Sequence, residues 1–332
     1  MMRKFSILAV LVGWLVSTSL AQDVKMEVIP YGGWANCIRL SNGVVELIIT
    51  TDVGPRIMRY GYIGDQNLFK EYRDQMGKTG GDEWRIYGGH RLWHAPEGRP
   101  RSYAPDNSRI EYQWDGITLS LYQPTEPSTG FAKEMTLVLE PKGTRVTVGH
   151  TLINNNLWDI ETACWAMSTM AQSGRAIIPQ EPLYPYPEYL PAARPMVLWH
   201  YSDMSDKRWT WGKKYIQLRQ DPKAEGQVKV GIGNTLGWAA YYLNDQVFLK
   251  RFGYDPKAKY PDFGSCNNET FTNADMLEIE TLGPLVKIAP NGRTDHAEHW
   301  FLFKQRIGES EDSIDKALLP LVEKTEIYKP AQ

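Results

Sequence analysis

The chain has 332 residues, 42% hydrophobic and 23% charged, with 37 Lys and Arg against 39 Asp and Glu for a formal net charge of −2. That near-balance excludes the basic surface a nucleic-acid partner needs, and the length suits one large domain or two ordinary ones. Three cysteines are too few for a disulfide scaffold.

The first 21 residues read as a cleavable export signal: Arg3 and Lys4, an apolar run from Ile7 to Val16, then Ser19-Leu20-Ala21 before the cut. The apolar run is about half of what a spanning helix needs, and nothing later reaches that length, so no membrane insertion is expected once the signal is removed. The mature chain then begins at Gln22, where the remaining 35 Lys and Arg against 39 Asp and Glu give −4, and it is expected in the periplasm or outside the cell. No run of Ser, Gly or Pro divides residues 22–332, so a single body is expected. Cys37, Cys164 and Cys266 lack metal-site or redox spacing. At most one disulfide can form among them, and burial as small apolar side chains is the expected role.

Residues 44–50 form a β-branched run, Asp52-Val53-Gly54-Pro55 turns it, and residues 56–62 follow as a second strand. Residues 63–87 lack periodicity and read as a long, functional surface loop. They lead into Gly88-Gly89-His90-Arg91-Leu92-Trp93-His94-Ala95-Pro96-Glu97. The glycine pair permits unusual backbone angles and Ala95-Pro96 opposes a helix, so this stretch is expected on a strand end or loop that holds polar groups beside an aromatic plane. Residues 117–122 alternate, and 134–140 with 145–153 make a hairpin around Pro141-Lys142-Gly143-Thr144. Residues 162–170 are a further strand, and the proline-rich stretch 179–195 reads as an ordered crossing loop in which Tyr184, Tyr186 and Tyr189 pack. Short strands continue at 197–200, 214–218, 228–232, 238–243 and 246–252. Residues 274–282 alternate most clearly: Leu277, Ile279 and Thr281 point one way, Met276, Glu278, Glu280 and Leu282 the other, so two carboxylates share a face. A last strand near 298–303 follows the Pro290-Asn291-Gly292 turn. Ile314, Ala317, Leu318, Leu321 and Val322 then recur at helical spacing, despite Pro320. Many short strands and almost no helix predict the all-β class, a large antiparallel sandwich with one short C-terminal helix.

His90 and His94, four apart with Glu97 beyond, have a spacing that ligates zinc on a helix. Pro96 and the glycines oppose that helix, and a third ligand would have to come from His296, Glu298 or His299, so neither a metal nor another cofactor is expected. A polyhydroxylated ligand suits the stretch better: imidazole and guanidinium donate to its oxygens while Trp93 stacks, with Glu97 in the same stretch as a further contact. Glu278 and Glu280 have Cα atoms roughly 6.5 Å apart by strand rise and point in parallel, which suits one general base tuned by its neighbour better than a pair flanking a bond. Arg208 beside Trp209, Glu269 in Asn267-Asn268-Glu269-Thr270, and His200 between Trp199 and Tyr201 are further polar groups next to aromatics or amides. His150 reads as a satisfied core histidine. No Ser-His-Asp order, nucleotide-binding glycine loop or Walker pattern is present.

Three places in the chain resemble the galactose mutarotase-like superfamily. Gly54-Pro55-Arg56-Ile57, inside the first strand pair, resembles the family's opening turn; Leu277-Glu278-Ile279-Glu280-Thr281 resembles the segment that supplies the epimerases' catalytic base; and Pro290-Asn291-Gly292 followed by His299-Trp300-Phe301-Leu302 resembles the closing turn and strand. The stretch at 88–97 together with Leu277-Glu278-Ile279-Glu280-Thr281-Leu282-Gly283-Pro284-Leu285 is similar to an exported bacterial branch of that superfamily, over nearly the whole mature chain. The resemblance implies a β-supersandwich, a saccharide ligand, epimerase or related sugar-modifying chemistry, and Glu280 as the base by position. Thr162-Ala163-Cys164-Trp165-Ala166-Met167, where the epimerases carry an acid histidine, has none, so His90 or His94 is left as the complementary acid, with Arg91 or Arg208 orienting an acidic or hydroxyl group. A non-catalytic glycan-binding protein and a metal-dependent lyase or hydrolase of acidic saccharides are the alternatives.

Overall fold

The computed structural model describes residues 23–325, so the expected export signal lies outside the described residues. Two sheets of antiparallel neighbours stack face to face. The 11-stranded first sheet runs in the order Lys25–Tyr31, Trp34–Ser41, Val45–Thr50, Arg56–Tyr62, Gly89–Ala95, Ile160–Met170, Leu277–Leu282, Asn268–Thr272, Val228–Ile232 and Met196–Leu198, with Val286–Ile288 paired beside Ile160–Met170. The 10-stranded second sheet runs Trp209–Trp211, Tyr215–Arg219, Arg175–Pro179, Trp238–Leu243, Gln246–Phe252, Arg293–Lys304, Val146–Asn154, Phe131–Leu139, Thr118–Gln123 and Glu111–Trp114. The expected all-β sandwich is the observed architecture.

The sheets are held by a shared core in which Leu40, Leu47, Ile57, Leu92 and Ile279 of the first meet Leu121, Leu137, Val148, Phe248 and Trp300 of the second. Strands that cover this core on one face only show the period of two directly: Val146–Asn154 alternates buried and half-buried along its whole length. Gly89–Ala95 and Leu277–Leu282 are instead buried at every position. Their second face lies under loops, where Trp93, Ala95, Ala163, Trp165, Met167 and Leu282 form a separate cluster with Trp84, Tyr103 and Leu285.

Gly89–Ala95 is therefore an interior strand between Arg56–Tyr62 and Ile160–Met170, and not the strand end or loop its composition suggests. Gly88 and Gly89 have φ of +98° and +70°, and a Cβ on them would fall 2.0 Å from the Lys70 carbonyl oxygen and 2.4 Å from that of Ile57. The pair lets the chain enter the sheet against two backbones and does not interrupt the strand. Lys25–Tyr31 and Glu111–Trp114 escape the sequence reading because they are edge strands that bury little. The C-terminal helix Glu311–Lys324 begins at Ser310, whose side chain accepts from the Ser313 backbone, and carries Glu311 and Asp312 in its first turn. It lays Ile314, Ala317 and Leu318 on Ile177, Trp238, Val247 and Leu249, on the outer face of the second sheet. All three cysteines are free and buried.

Candidate functional site

The outer face of the first sheet carries a cleft of about 540 Å³. Trp84, Trp93, Tyr103 and Trp165 wall it, and Arg91, Met167, Glu278, Phe271 and Lys229 line it from the strands. Register places these side chains. Met167 lies opposite both Arg91 and Glu280, while Thr169, Glu278, Phe271 and Lys229 form the next row across four neighbouring strands. One strand spacing is about 4.8 Å, so Glu278 and Lys229 stand roughly two spacings apart with Phe271 between them.

Arg91 and Glu278 form a buried ion pair at 3.1 Å. Thr169 braces both, its hydroxyl accepting from Arg91 at 2.9 Å and donating to Glu278 at 3.0 Å. Glu280 lies one row away and is wholly buried. Its Oε2 accepts from the Trp165 indole at 2.8 Å and from Lys229 at 2.9 Å, and the Lys229 ammonium is also 2.7 Å from Glu269. Two carboxylates thus share one ammonium beneath the cleft. Burial pushes the Glu269 carboxyl well above, and the Glu280 carboxyl above, the usual range, against the pull of Lys229. Burial works against the charge on Lys229 too, but the two carboxylates win and hold its ammonium well above the ordinary lysine value. The same ammonium lies 4.7 Å from the Trp165 ring and 4.6 Å from that of Trp199, so it props the wall of the cleft from behind.

His90 and His94 do not share this face. Alternation along Gly89–Ala95 sends Arg91 and Trp93 to the cleft and His90, Leu92 and His94 into the core between the sheets. There His90 Nδ1 is 2.9 Å from Ser168 Oγ and its Nε2 is 2.7 Å from His150 Nε2, while His150 Nδ1 is 3.2 Å from the His296 carbonyl. A carbonyl only accepts, so His150 carries its proton on Nδ1; His90 then donates from Nε2 and accepts from Ser168. His296 donates to Thr281, which donates to Glu298, and Glu298 also takes Lys250 at 2.9 Å and the Trp300 indole at 2.8 Å. Burial opposes ionisation of Glu298, but Lys250 and the surrounding imidazoles outweigh it and hold the carboxyl well below its usual range. Burial also depresses His90 well below its ordinary value, His150 to about 4 and His94 and His296 to about 3. His90, His150 and Glu298 stand close enough for a shared cation. Each of their facing atoms already has a protein partner and Lys250 supplies the positive charge, so the network is closed without one. The expectation that His90 or His94 faces Glu280 across a cleft is thus corrected: they occupy opposite faces of one sheet.

Of the other residues singled out in the sequence, Arg91, Trp93 and Glu278 line the cleft, and Glu97 sits at its rim, accepting from the Tyr103 hydroxyl. Glu269 lies below it with Glu280. Arg208 is elsewhere: it pairs with Asp206 at 2.8 Å, donates to the Gly226 carbonyl and lines no part of the cleft, so it closes a loop and does not contact a ligand there. Lys229 was missed, although a lysine between Val228 and Val230 in an apolar strand is itself a sign of a buried carboxylate partner. A larger groove of about 670 Å³ runs between the proline-rich loop and the C-terminal helix, but its Asp315 already accepts from Lys214 and from the Tyr215 hydroxyl.

No family model and no curated protein matches the sequence. Solved structures match the fold. A galactose mutarotase-like protein from Lactobacillus casei superposes with a TM-score of 0.54 at 10% identity, over 81% of this chain and 100% of its own. Another from Clostridium acetobutylicum gives 0.52 at 10% identity over 85% and 99%. A TPR-domain containing protein from Parabacteroides distasonis gives 0.54 at 12% identity over 82% of this chain, which spans only 48% of that longer one. The chain has the galactose mutarotase-like fold.

Proposed function

We propose that this chain is an exported carbohydrate-active protein that holds a saccharide in the Arg91–Glu278 cleft and acts on it by proton transfer, as an epimerase or a related sugar-modifying enzyme. One observation carries the reading: the braced Arg91–Glu278 pair lines a cleft walled by indoles, with Phe271 beside Glu278 and the Lys229 ammonium beneath, held by Glu280 and Glu269. Phe271, next to Glu278 across the strands, offers a ring on which one sugar can stack. In that pose Glu278 takes a proton from a sugar hydroxyl. Lys229, with one N–H left after Glu269 and Glu280, donates to the oxygen on which charge develops. Glu278 thereby takes the role that position had given to Glu280, and Lys229 the one that had fallen to His90 or His94.

Anomer exchange followed by NMR across a panel of free sugars tests this. The native protein is expected to accelerate exchange of at least one sugar, and Glu278→Gln to lower that acceleration by about 100-fold with binding retained. Undiminished exchange in Glu278→Gln removes Glu278 from the mechanism. A non-catalytic glycan-binding protein is favoured by the burial of both histidines away from the cleft; calorimetric binding of a sugar without any acceleration would establish that reading instead.

A further inference from the structure

We infer that the saccharide taken by this cleft carries an anionic oxygen group, a carboxylate or a sulfate, seated at its guanidinium end. The inference rests on the cleft being a saccharide site. Trp84, Trp93 and Tyr103 form a triangle of rings with centroids 5.5, 5.2 and 5.1 Å apart. Two cations flank it. Arg91 stands 4.9 Å from the Trp93 ring and 6.0 Å from that of Trp84, and Arg99 stands 4.2 Å over Tyr103.

The donor capacity around this triangle is not used up by the protein. Arg91, with a side chain only 3% exposed, donates from its two terminal nitrogens to Thr169, Met167 and Glu278, while its Nε has no partner. The buried indole Nε1 of Trp84 has none either. No carboxylate pairs with Arg99 among the described residues. Three donor-bearing side chains from three segments therefore line the cleft around the ring triangle, two of them planar guanidiniums suited to carboxylate or sulfate oxygens.

Of the nearby acids, Glu278 is matched by Arg91, while Glu97 keeps its charge at the rim, where its carboxylate accepts from the Tyr103 hydroxyl. The charge of Lys229 at the far end is outnumbered by Glu269 and Glu280 and adds no competing pull on an anion. The arrangement leaves the Arg99 charge and the unpaired Arg91 and Trp84 donors for the ligand, and leaves Glu278 for its hydroxyls.

Calorimetry at low salt with the full mature chain separates the cases. Neutral hexoses, the matching hexuronates and the matching sulfated hexoses are titrated into the native protein, Arg99→Met and Trp84→Phe. An anionic sugar is expected to bind at least about tenfold tighter than its neutral parent, and the preference should shrink in about 0.5 M salt and in both variants. Whether the hexuronate or the sulfated sugar binds tighter names the group. Equal or tighter binding of the neutral sugar, or a preference untouched by both substitutions, overturns the inference and leaves the saccharide cleft standing. Failure of every sugar to bind overturns the cleft reading as well.

Discussion

Replacing Lys229 by Met would expose how the floor of the cleft is held. The ammonium stands 2.7 Å from Glu269 and 2.9 Å from Glu280, and all three side chains are at most 4% exposed. Methionine keeps the length and the packing under Trp165 and Trp199 but removes the charge. Since two carboxylates share one ammonium, one negative charge loses its partner. Removing one member of a buried pair costs about 3–5 kcal/mol. The alternative is protonation. A carboxyl with an ordinary value of 4.5 held neutral at pH 7.5 is about three units from its unfolded preference, or ~4 kcal/mol. Both routes give ~4 kcal/mol, a large part of the 5–15 kcal/mol that about any domain has, yet compatible with folding. In the variant the folded carboxyl pKa is raised above the unfolded one, so stability falls as pH rises from 4.5 through the folded value. The deficit should be ~4 kcal/mol at pH 7.5 and under ~1 kcal/mol at pH 5. Urea titrations at the two pH values measure it, and adding Glu280→Gln should recover most of the loss at pH 7.5. A deficit equal at both pH values, or no recovery in the double variant, would refute the shared-ammonium account.

Two further outcomes follow from the same geometry. His90, His94, His150 and His296 are neutral in the folded core, with His150 depressed to about 4 and His94 and His296 to about 3 from an ordinary 6.5. The unfolded chain binds those protons first, so stability should fall as pH drops from 6.5 by ~1.4 kcal/mol per unit for each histidine, partly offset by the raised carboxyls of Glu269 and Glu280. A urea midpoint as high at pH 5 as at pH 7 would contradict a neutral, buried cluster. Arg208→Gln should cost about 1–2 kcal/mol through its lost bonds to Asp206 and Gly226 and leave saccharide affinity within about twofold. A larger loss of affinity would return Arg208 to the ligand.

How much of this was legible in the sequence depended on where the period of two was applied. Along residues 274–282 it separates Leu277 and Ile279 from Glu278 and Glu280, and the structure keeps that division, with the apolar pair in the inter-sheet core. What alternation cannot supply is depth: Glu278 reaches the cleft while Glu280 is roofed by Trp165 and Lys229, and both partners come from strands more than fifty residues away in sequence. Along Gly89–Ala95 the same rule would have parted His90 and His94 from Arg91 and Trp93, but a strand buried on both faces has no polar side to reveal its period, and the flanking Gly88 and Pro96 imitate a loop. Its polar residues therefore looked like one cluster when they are two. Lys229 and Lys250 mark the same hidden rule: each buried lysine announces a buried acid, Glu280 with Glu269 for one and Glu298 for the other. A lysine at a buried strand position locates a counter-charge on the adjacent strand, Glu269 for Lys229 and Glu298 for Lys250. Here that counter-charge lies beneath the cleft for Lys229 and in the histidine core for Lys250, so the two lysines distinguish the faces that the histidines and the arginine, read as one motif, had merged.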